Sequence, residues 1–194
     1  MIIGWSLVNN SVLNEVFEFS KQKVNFFKNN GIIEPNVNVA LGLQWLIDNP
    51  YQGKGVIQKL YFHLEALMKN KYDIVEASVR KNNPAGNAAT DKIGMIKIFE
   101  DELRVYKIRV IDNPSNKLKG TTVYDIEGIP VAIRTAEIGD EEQLHQLNKL
   151  WTKEVIGDDT SKGFLTSLYS TEEFRKIISV GEIAVAEIQT QKTK

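Results

Sequence analysis

The sequence predicts an α/β or α+β fold with one mixed sheet. Strand-like and helix-like segments alternate along the 194 residues, which is typical of a sheet flanked by helices. Hydrophobic residues make up 42% of the chain and charged residues 25%, close to the average soluble globular protein. The length is that of one typical domain with some additional residues.

Strands are predicted from β-branched and aromatic runs, and helices from apolar residues three or four positions apart. The most regular apolar stripe extends from Val56 to Met68 and predicts the strongest helix. The elements predicted in the first part of the chain are a strand over 2–8, a helix over 12–28, a strand over 37–47, the helix from Val56, a strand over 74–79, a helix over 85–93 and a hairpin over 95–110.

The second part of the chain begins with a polar, turn-rich connector over 111–128. Asp140 followed by Gln143, and Ser170 followed by Glu173, are capping-box arrangements, and each predicts the start of a helix. The remaining predicted elements are strands over 131–134 and 182–188.

Charge and residue counts exclude several classes of function. Twenty-four basic and 25 acidic residues give a net charge of -1, so no basic surplus indicates nucleic-acid binding. The absence of cysteine excludes disulfides, thiolate zinc sites and a cysteine nucleophile. With only His63 and His145, a histidine-rich metal site is not expected. No basic leader or apolar run of membrane length is present, so we expect a soluble, cytoplasmic protein that binds no membrane.

The loop Gln52-Gly53-Lys54-Gly55-Val56 lies between a predicted strand and the strongest predicted helix. Glycines permit positive φ angles, and the free N–H groups of a helix N-terminus attract anions. Lys54 adds a positive charge. An ordinary tight turn explains the same residues, because a short Gly-x-Gly is a weak motif. The spacing fits neither a Walker A loop nor the dinucleotide fingerprint.

Three segments together resemble the cofactor half of the GNAT-type N-acetyltransferases. They are this glycine loop, Asn83-Pro84-Ala85 after the next predicted strand, and Lys92-Ile93-Gly94 after a short helix. Residues 37–110 are similar to the family in the order and intervals of these segments. The resemblance implies acetyl-CoA as co-substrate, no metal, and direct transfer of the acetyl group to a primary amine of a small molecule or protein in a ternary complex.

The C-terminal part is similar to the opening of the same family, which normally precedes the cofactor half. The predicted single domain over 1–194 thus has the cofactor half at 1–110, a linker at 111–130 and the family's N-terminal half at 131–194. Joined end to end, the last and first strands resemble a family hairpin. The sequence therefore resembles a circularly permuted member with a mostly antiparallel central sheet. The open alternative is a homodimer in which each half completes the fold of another chain.

The resemblance also implies where the cofactor binds. Backbone groups of two strand residues would bind the pantetheine arm and polarise the thioester, the loop amides would hold the pyrophosphate, and an asparagine would contact the arm. The implied cofactor-binding residues are Leu46, Ile47, Gln52, Gly53, Lys54, Gly55, Val56, Ile57 and Asn83.

The sequence departs from the family pattern at three positions. Ile57 stands where glycine or alanine is usual, so we expect weaker cofactor binding. Thr90 stands where the family usually has the tyrosine that protonates the leaving thiolate, and a threonine hydroxyl is far too weak an acid. Gln44 stands where the family often supplies a glutamate, and an amide cannot take a proton.

No catalytic residue is assigned from the sequence. Glu76 is a candidate base, with a solvated glutamate at a strand end as the alternative. His63 and His145 are both expected at solvated helix positions.

The acceptor site is the part that the sequence describes least. In the family its walls come from the late hairpin and from the segment here at 156–169. Glu100-Asp101-Glu102 and Asp158-Asp159 would attract a cationic amine there, and a solvated acidic turn is the alternative. The inserted helix 12–28 carries Phe17, Phe19, Phe26 and Phe27, which would cover the acceptor pocket, form a dimer contact or pack in the core.

Three hypotheses for function follow. The first is an acetyl-CoA-dependent N-acyltransferase. The second is a non-catalytic module that binds or senses coenzyme A, which Thr90 and the missing base favour. The third is an interaction domain on the same scaffold, with no ligand. Fold alone does not decide among them.

Overall fold

A computed structural model gives the fold of the chain. It describes residues 1–7, 14–41, 44–111, 120–157, 168–181 and 183–189, without the side chains of residues 14–17, 20, 153 and 154. Some sequence-based expectations lie outside the described residues. They concern Asp158-Asp159, most of the segment 156–169, most of the connector 111–128 before residue 120, and the side chain of Phe17.

The described residues contain strands and helices in alternation. The strands are β1 (Ile2–Leu7), β2 (Val39–Ala40), β3 (Gln44–Ile47), β4 (Ile74–Arg80), β5 (Ile96–Glu100), β6 (Arg104–Val110), β7 (Thr122–Ile126), β8 (Ile129–Thr135) and β9 (Ile183–Ile188). The helices are α1 (Asn14–Asn29), α2 (Val56–Met68), α3 (Pro84–Lys92), α4 (Glu141–Leu150), α5 (Lys153–Ile156) and α6 (Thr171–Ser179).

The strands form two sheets. Sheet A has the order β3-β1-β9-β8-β7 and is antiparallel at every pair. Sheet B has the order β2-β4-β6-β5; its β2–β4 pair is parallel and its other pairs are antiparallel. The predicted class is confirmed, since the strands are mixed, mostly antiparallel and flanked by helices. The single predicted sheet is divided in two.

The division runs through the predicted strand 37–47, so the prediction of one continuous strand is wrong. Val39 and Ala40 in β2 pair with the start of β4 in sheet B. Gln44 to Ile47 in β3 pair instead with β1 in sheet A. The backbone groups of one straight strand cannot hydrogen-bond into two separating sheets. The two parts therefore belong to different sheets.

The predicted linker over 111–130 contains a strand, and this part of the prediction is also wrong. β7 pairs with β8 from Thr122 opposite Ile133 to Ile126 opposite Ile129. Glu127 and Gly128 join the two strands with φ angles of 53° and 82°, as a two-residue hairpin turn of type I′ requires. The residues around β7 are polar and rich in turn formers, so the local pattern does not predict a strand there. The strand forms because it pairs with β8.

One of the two predicted capping boxes forms. The Ser170 hydroxyl accepts from the Glu173 amide, and the Glu173 carboxylate accepts from the Ser170 amide, so this prediction is confirmed. At Asp140 the predicted helix start is confirmed, because α4 begins at Glu141, but the capping box is wrong, because the Asp140 side chain makes no cap hydrogen bond. The Asp140 carboxylate instead accepts two hydrogen bonds from the Arg134 guanidinium, at 2.7 and 3.0 Å. Both carboxylate oxygens are thus engaged in a bidentate, charge-assisted pair, which is among the strong hydrogen-bond arrangements.

Three groups of apolar side chains hold the layers together. Leu60 and Leu64 of α2 pack with Ile3 of β1 between helix and sheet A. Trp5 of β1 and Phe174 of α6 belong to a second cluster, in which sheet A packs against α4 and α6. The third cluster lies between α1 and sheet B and comprises Val24, Phe27, Ile33, Val39, Leu41, Ile74 and Tyr106.

Within the described residues, no helix combines the length and the apolar character needed to cross a membrane.

The first described strand, β1, and the last, β9, are neighbours in sheet A. β9 and β1 are antiparallel neighbours, and the Ile188 amide donates to the Met1 carbonyl at 2.9 Å. The Met1 amino group lies 4.0 Å from Glu187 Oε1. This is the pairing expected between the last and first strands. The circular permutation and the swapped homodimer themselves stay predictions.

Candidate functional site

A cavity of about 280 Å³ lies between β3 and α3. Its walls come from β3, the loop that follows it, the first turn of α2 and one face of α3. Eight of the nine predicted cofactor-binding residues line it: Leu46, Ile47, Gln52, Gly53, Gly55, Val56, Ile57 and Asn83. The fold thus brings these residues together around one space, while their role in binding a cofactor stays a prediction.

The glycine loop connects β3 to α2 through a short 3₁₀ turn over Asn49–Tyr51. Gly53 and Gly55 have φ angles of 77° and 78°, which favour glycine over any residue with a side chain. The Gln52 side chain donates to the Ile47 carbonyl at 3.0 Å and ties the loop back to β3. The turn is therefore held in one shape before any ligand arrives.

The N-terminus of α2 opens toward this cavity. Gly55 is the N-cap and supplies no side-chain hydrogen bond, and the first turn contains no acidic residue. The first N–H groups of a helix have no partner within the helix, and its dipole places partial positive charge there. Val56, Ile57 and Gln58 of this turn all line the cavity. The arrangement suits an anionic group.

Lys54 is the predicted residue that does not line the cavity. Its ammonium lies 2.6 Å from Glu127 Oε2, in the turn between β7 and β8. Sequence reasoning missed Glu127, because it assigned this turn to the connector. Only the tertiary structure brings the two side chains together.

Asn83 closes the opposite wall of the cavity as the N-cap of α3. Its side-chain oxygen accepts from the Gly86 amide at 2.8 Å. The face of α3 that borders the cavity carries mainly small residues, Ala85, Gly86, Ala88 and Ala89, with Lys92 at its end. Small side chains let a ligand approach the helix closely. The run of alanine and glycine was the sequence signal for this wall.

Three aromatic residues complete the lining: Trp45 and Tyr51 beside the predicted loop, and Trp151 from the distant C-terminal half. Trp151 follows α4, and no local pattern connects it with the loop. Its place depends on the packing of α4 against sheet A.

Thr90 is buried and does not line the cavity. The Lys107 ammonium on β6 donates to the Thr90 hydroxyl at 2.8 Å and to Asp91 Oδ1 at 2.7 Å. The Thr90 hydroxyl lies 2.7 Å from the Asn87 carbonyl, to which it donates. Thr90 therefore joins α3 to β6, and its hydroxyl is engaged away from the cavity.

Gln44 and the candidate base Glu76 are both held by the fold. Gln44 accepts a hydrogen bond from the Tyr169 hydroxyl at 2.7 Å. Glu76 is fully buried, so its interpretation as a solvated strand-end glutamate is wrong. The register pairs Glu76 with Ile108 and so places it on the face of sheet B that α1 covers. Burial, the Asp101 hydrogen bond and the charges of Asp101 and Glu76 raise the pKa of Tyr106.

The expectation of a solvated position is wrong for His63, which is buried, while His145 keeps part of its exposure. His63 is 1% exposed, and its Nε2 lies 3.3 Å from the Thr135 hydroxyl. Burial lowers the pKa of His63. His145 is half-buried, with Nδ1 2.7 Å from the Tyr169 carbonyl.

The acidic turn between β5 and β6 is largely engaged in local contacts. Asp101 accepts from the amides of Leu103 and Arg104 and, at 2.6 Å, from the Tyr106 hydroxyl. The Tyr106 hydrogen bond lowers the pKa of Asp101 despite an opposing effect of burial. Its role in attracting an acceptor amine stays a prediction.

α1 packs on sheet B, which favours the core-packing interpretation of the inserted helix. Phe27 is fully buried in the third cluster, while Phe19 and Phe26 are partly exposed. The Lys23 ammonium lies 5.3 Å from the Tyr106 ring centre and 3.4 Å from Asp101 Oδ2. No described residue of α1 lines the cavity.

In the part of the chain that the structure describes, no three histidine, cysteine, aspartate or glutamate residues gather as a metal site would require.

The sequence matches no protein-family model and no curated protein. One solved structure that matches is a protein assigned as an arylalkylamine N-acetyltransferase 7 from the yellow fever mosquito Aedes aegypti. It shares 15% identity with a TM-score of 0.37, over 58% of this chain and 60% of that chain. The chain thus spans about 60% of the protein it matches.

Proposed function

We propose that this protein binds acetyl-CoA in the cavity between β3 and α3 and transfers the acetyl group to a primary amine. One observation carries the proposal: the glycine loop, the uncapped N-terminus of α2 and the small-residue face of α3 border one space. A pyrophosphate fits the loop and helix end, because it is an anion and both present N–H groups. An uncharged pantetheine arm fits along α3, because the small side chains on that face leave room for it.

The chain's own groups would do the following. Amides of the loop and of the first turn of α2 bind the pyrophosphate, and backbone groups of Leu46 and Ile47 contact the arm. An N–H group directed at the thioester carbonyl stabilises the oxyanion that forms when the amine attacks. The acceptor is an amine of a small molecule or a protein, and the cytoplasmic location goes with this proposal as a prediction from the sequence.

A second candidate function is binding of coenzyme A without catalysis. Two observations favour it. The Thr90 hydroxyl is bound to Lys107, and the described residues that line the cavity include no carboxylate or histidine. A site of this kind holds the cofactor without a side chain that accepts the proton of the amine.

Calorimetric titration with acetyl-CoA tests binding. We expect Gly53→Val and Gly55→Val to weaken binding by at least about tenfold, because a side chain strains the left-handed backbone and turns the amides away. Gly181→Val is the matched control, since Gly181 has φ 70° and open space around it but lies outside the cavity. An absence of acetyl-CoA binding to the unmodified protein would overturn the proposal.

Release of free thiol from acetyl-CoA in the presence of amines separates the two functions. Amine-dependent release supports the acetyltransferase. Tight binding with no release for any small amine or protein lysine supports the binding module and contradicts the enzyme.

A further inference from the structure

The ion pair between Lys54 and Glu127 lies at the edge of the proposed pyrophosphate site. The Lys54 Nζ–Glu127 Oε2 distance is 2.6 Å, with 28% of the lysine side chain and 67% of the glutamate side chain exposed. Lys54 is the central residue of the glycine loop, between two glycines in left-handed conformation. Its cation is therefore directed out of the loop, toward another hairpin.

Glu127 is presented by a well-defined turn. The β7–β8 register continues to Ile126 opposite Ile129, and Ile126 is buried. The Gly128 amide donates to Asp125 Oδ1 at 2.9 Å, which closes the turn. The strand pairing thus holds the backbone of Glu127 beside the loop, and the exposed carboxylate reaches Lys54 from there.

A second contact ties the same hairpin to α2. The Lys59 ammonium lies 4.7 Å from the centre of the Tyr124 ring, within the range of a cation–π interaction. β7 therefore borders the N-terminal part of α2, and Glu127 at its end borders the loop that precedes α2. A carboxylate near a site that suits an anion works against binding of that anion.

We propose that Glu127 is a specificity-determining residue that competes with the pyrophosphate of coenzyme A for Lys54. This inference rests on the proposed function. In the free protein Glu127 neutralises Lys54. A pyrophosphate at the loop carries more negative charge than one carboxylate and takes the lysine over, because exposed ion pairs are weak and exchange readily. An uncharged ligand gains nothing from this exchange. The pair thus lowers the affinity for coenzyme A and makes binding depend on the pyrophosphate.

The test is calorimetric titration of the full chain and of Glu127→Gln with coenzyme A and with pantetheine. We expect Glu127→Gln to bind coenzyme A about two- to fivefold more tightly, the range that an exposed ion pair supports. Binding of pantetheine, which lacks the pyrophosphate, should not change. Glu34→Gln is the matched control, because it removes the same charge from an exposed position on the loop before β2.

Lys54→Met, alone and with Glu127→Gln, tests whether the effect acts through Lys54. We expect the gain from Glu127→Gln to disappear when Lys54 is absent, which a general effect of net charge or of folding would not produce. Thermal unfolding of each variant shows that it is folded.

Three results would overturn the inference: unchanged or weaker coenzyme A binding in Glu127→Gln, the same gain in Glu34→Gln, or the same gain without Lys54. If the unmodified protein binds no coenzyme A, the proposed function fails and this inference falls with it. If the protein binds coenzyme A but Glu127→Gln has no effect, the inference alone fails.

Discussion

Buried ionisable side chains determine how the stability of this protein responds to pH. His63 lies on α2 with its ring 1% exposed, and its Nδ1 has no hydrogen-bond partner among the described residues. Burial disfavours the charged imidazolium and lowers the pKa of His63 from its ordinary value of about 6.5. The folded protein therefore keeps this ring neutral at pH values where the unfolded chain protonates it.

The free energy of unfolding should fall as the pH drops below about 6.5. In that range His63 binds a proton in the unfolded chain but stays neutral in the folded protein, so protonation favours unfolding. The stabilisation is complete above pH 6.5 and decreases until the pH passes the lowered pKa. Urea unfolding from pH 7.5 to 5.0 measures this. His63→Gln should flatten the dependence, and equal slopes in the two proteins would contradict the assignment.

At the scale of elements, the close approach of β1 and β3 depends on one glycine. Gly4 pairs with Ile47 across the two strands. A Cβ at Gly4 would lie 2.5 Å from Ile47 Cδ1 and 2.8 Å from the Leu46 carbonyl oxygen. The Ile47 side chain can rotate away, but the carbonyl is part of the strand backbone. β3, the strand proposed to bind the cofactor, can lie this close to β1 because Gly4 has no side chain.

Gly4→Ala should lower the free energy of unfolding by about 1–3 kcal/mol, as overpacking in a well-packed interior does. Chemical denaturation measures the change. Ser6→Ala is the matched control on the same strand, because the Ser6 hydroxyl is buried without a hydrogen-bond partner among the described residues. Its removal should change stability by no more than about 0.5 kcal/mol. A similar loss in both variants would show that the strand, and not the close contact, is the cause.

At the scale of the whole molecule, the spatial order of sheet A does not follow the order of the chain. The last strand, β9, lies between β1 and β8, and the first strand, β1, lies between β9 and β3. The hydrogen bond from the Ile188 amide to the Met1 carbonyl continues this pairing to the first residue. Pairing of β9 with β1 is what a circular permutation predicts, and the choice between permutation and a swapped homodimer stays a prediction.

A rearranged chain tests this interpretation. It begins at Gly120, joins residue 194 to residue 1 and ends at Ile111. We expect it to be a monomer, as the unmodified protein should be, and to unfold within about 1–2 kcal/mol of it, because surface connections tolerate such exchanges. Light scattering with size-exclusion chromatography gives the mass, and urea unfolding gives the stability. A dimer of the unmodified protein that dissociates only on unfolding would support the swapped arrangement instead.

Local patterns were sufficient for most of the elements. The apolar stripe from Val56 to Met68 gives α2 with the predicted bounds, and the Ser170–Glu173 box marks the start of α6. Both signals consist of residues three or four positions apart, so each can be found by inspecting neighbouring residues of the sequence. The left-handed glycines of the loop are of the same kind, since the turn that requires them lies within a few residues.

Only the tertiary structure decided the environment of the site. Residues 37–47 carry a strand pattern throughout, but two sheets compete for them and each takes one part. Glu76 and His63 are polar residues that the pattern places in water, and packing buries them. Lys54 finds its partner Glu127 at a separation of 73 residues along the chain. By itself the sequence determined most of the elements and the loop, because these depend on neighbours within a turn. Burial, the division of the sheet and the charge beside the loop arise from contacts between distant segments, which no local spacing encodes.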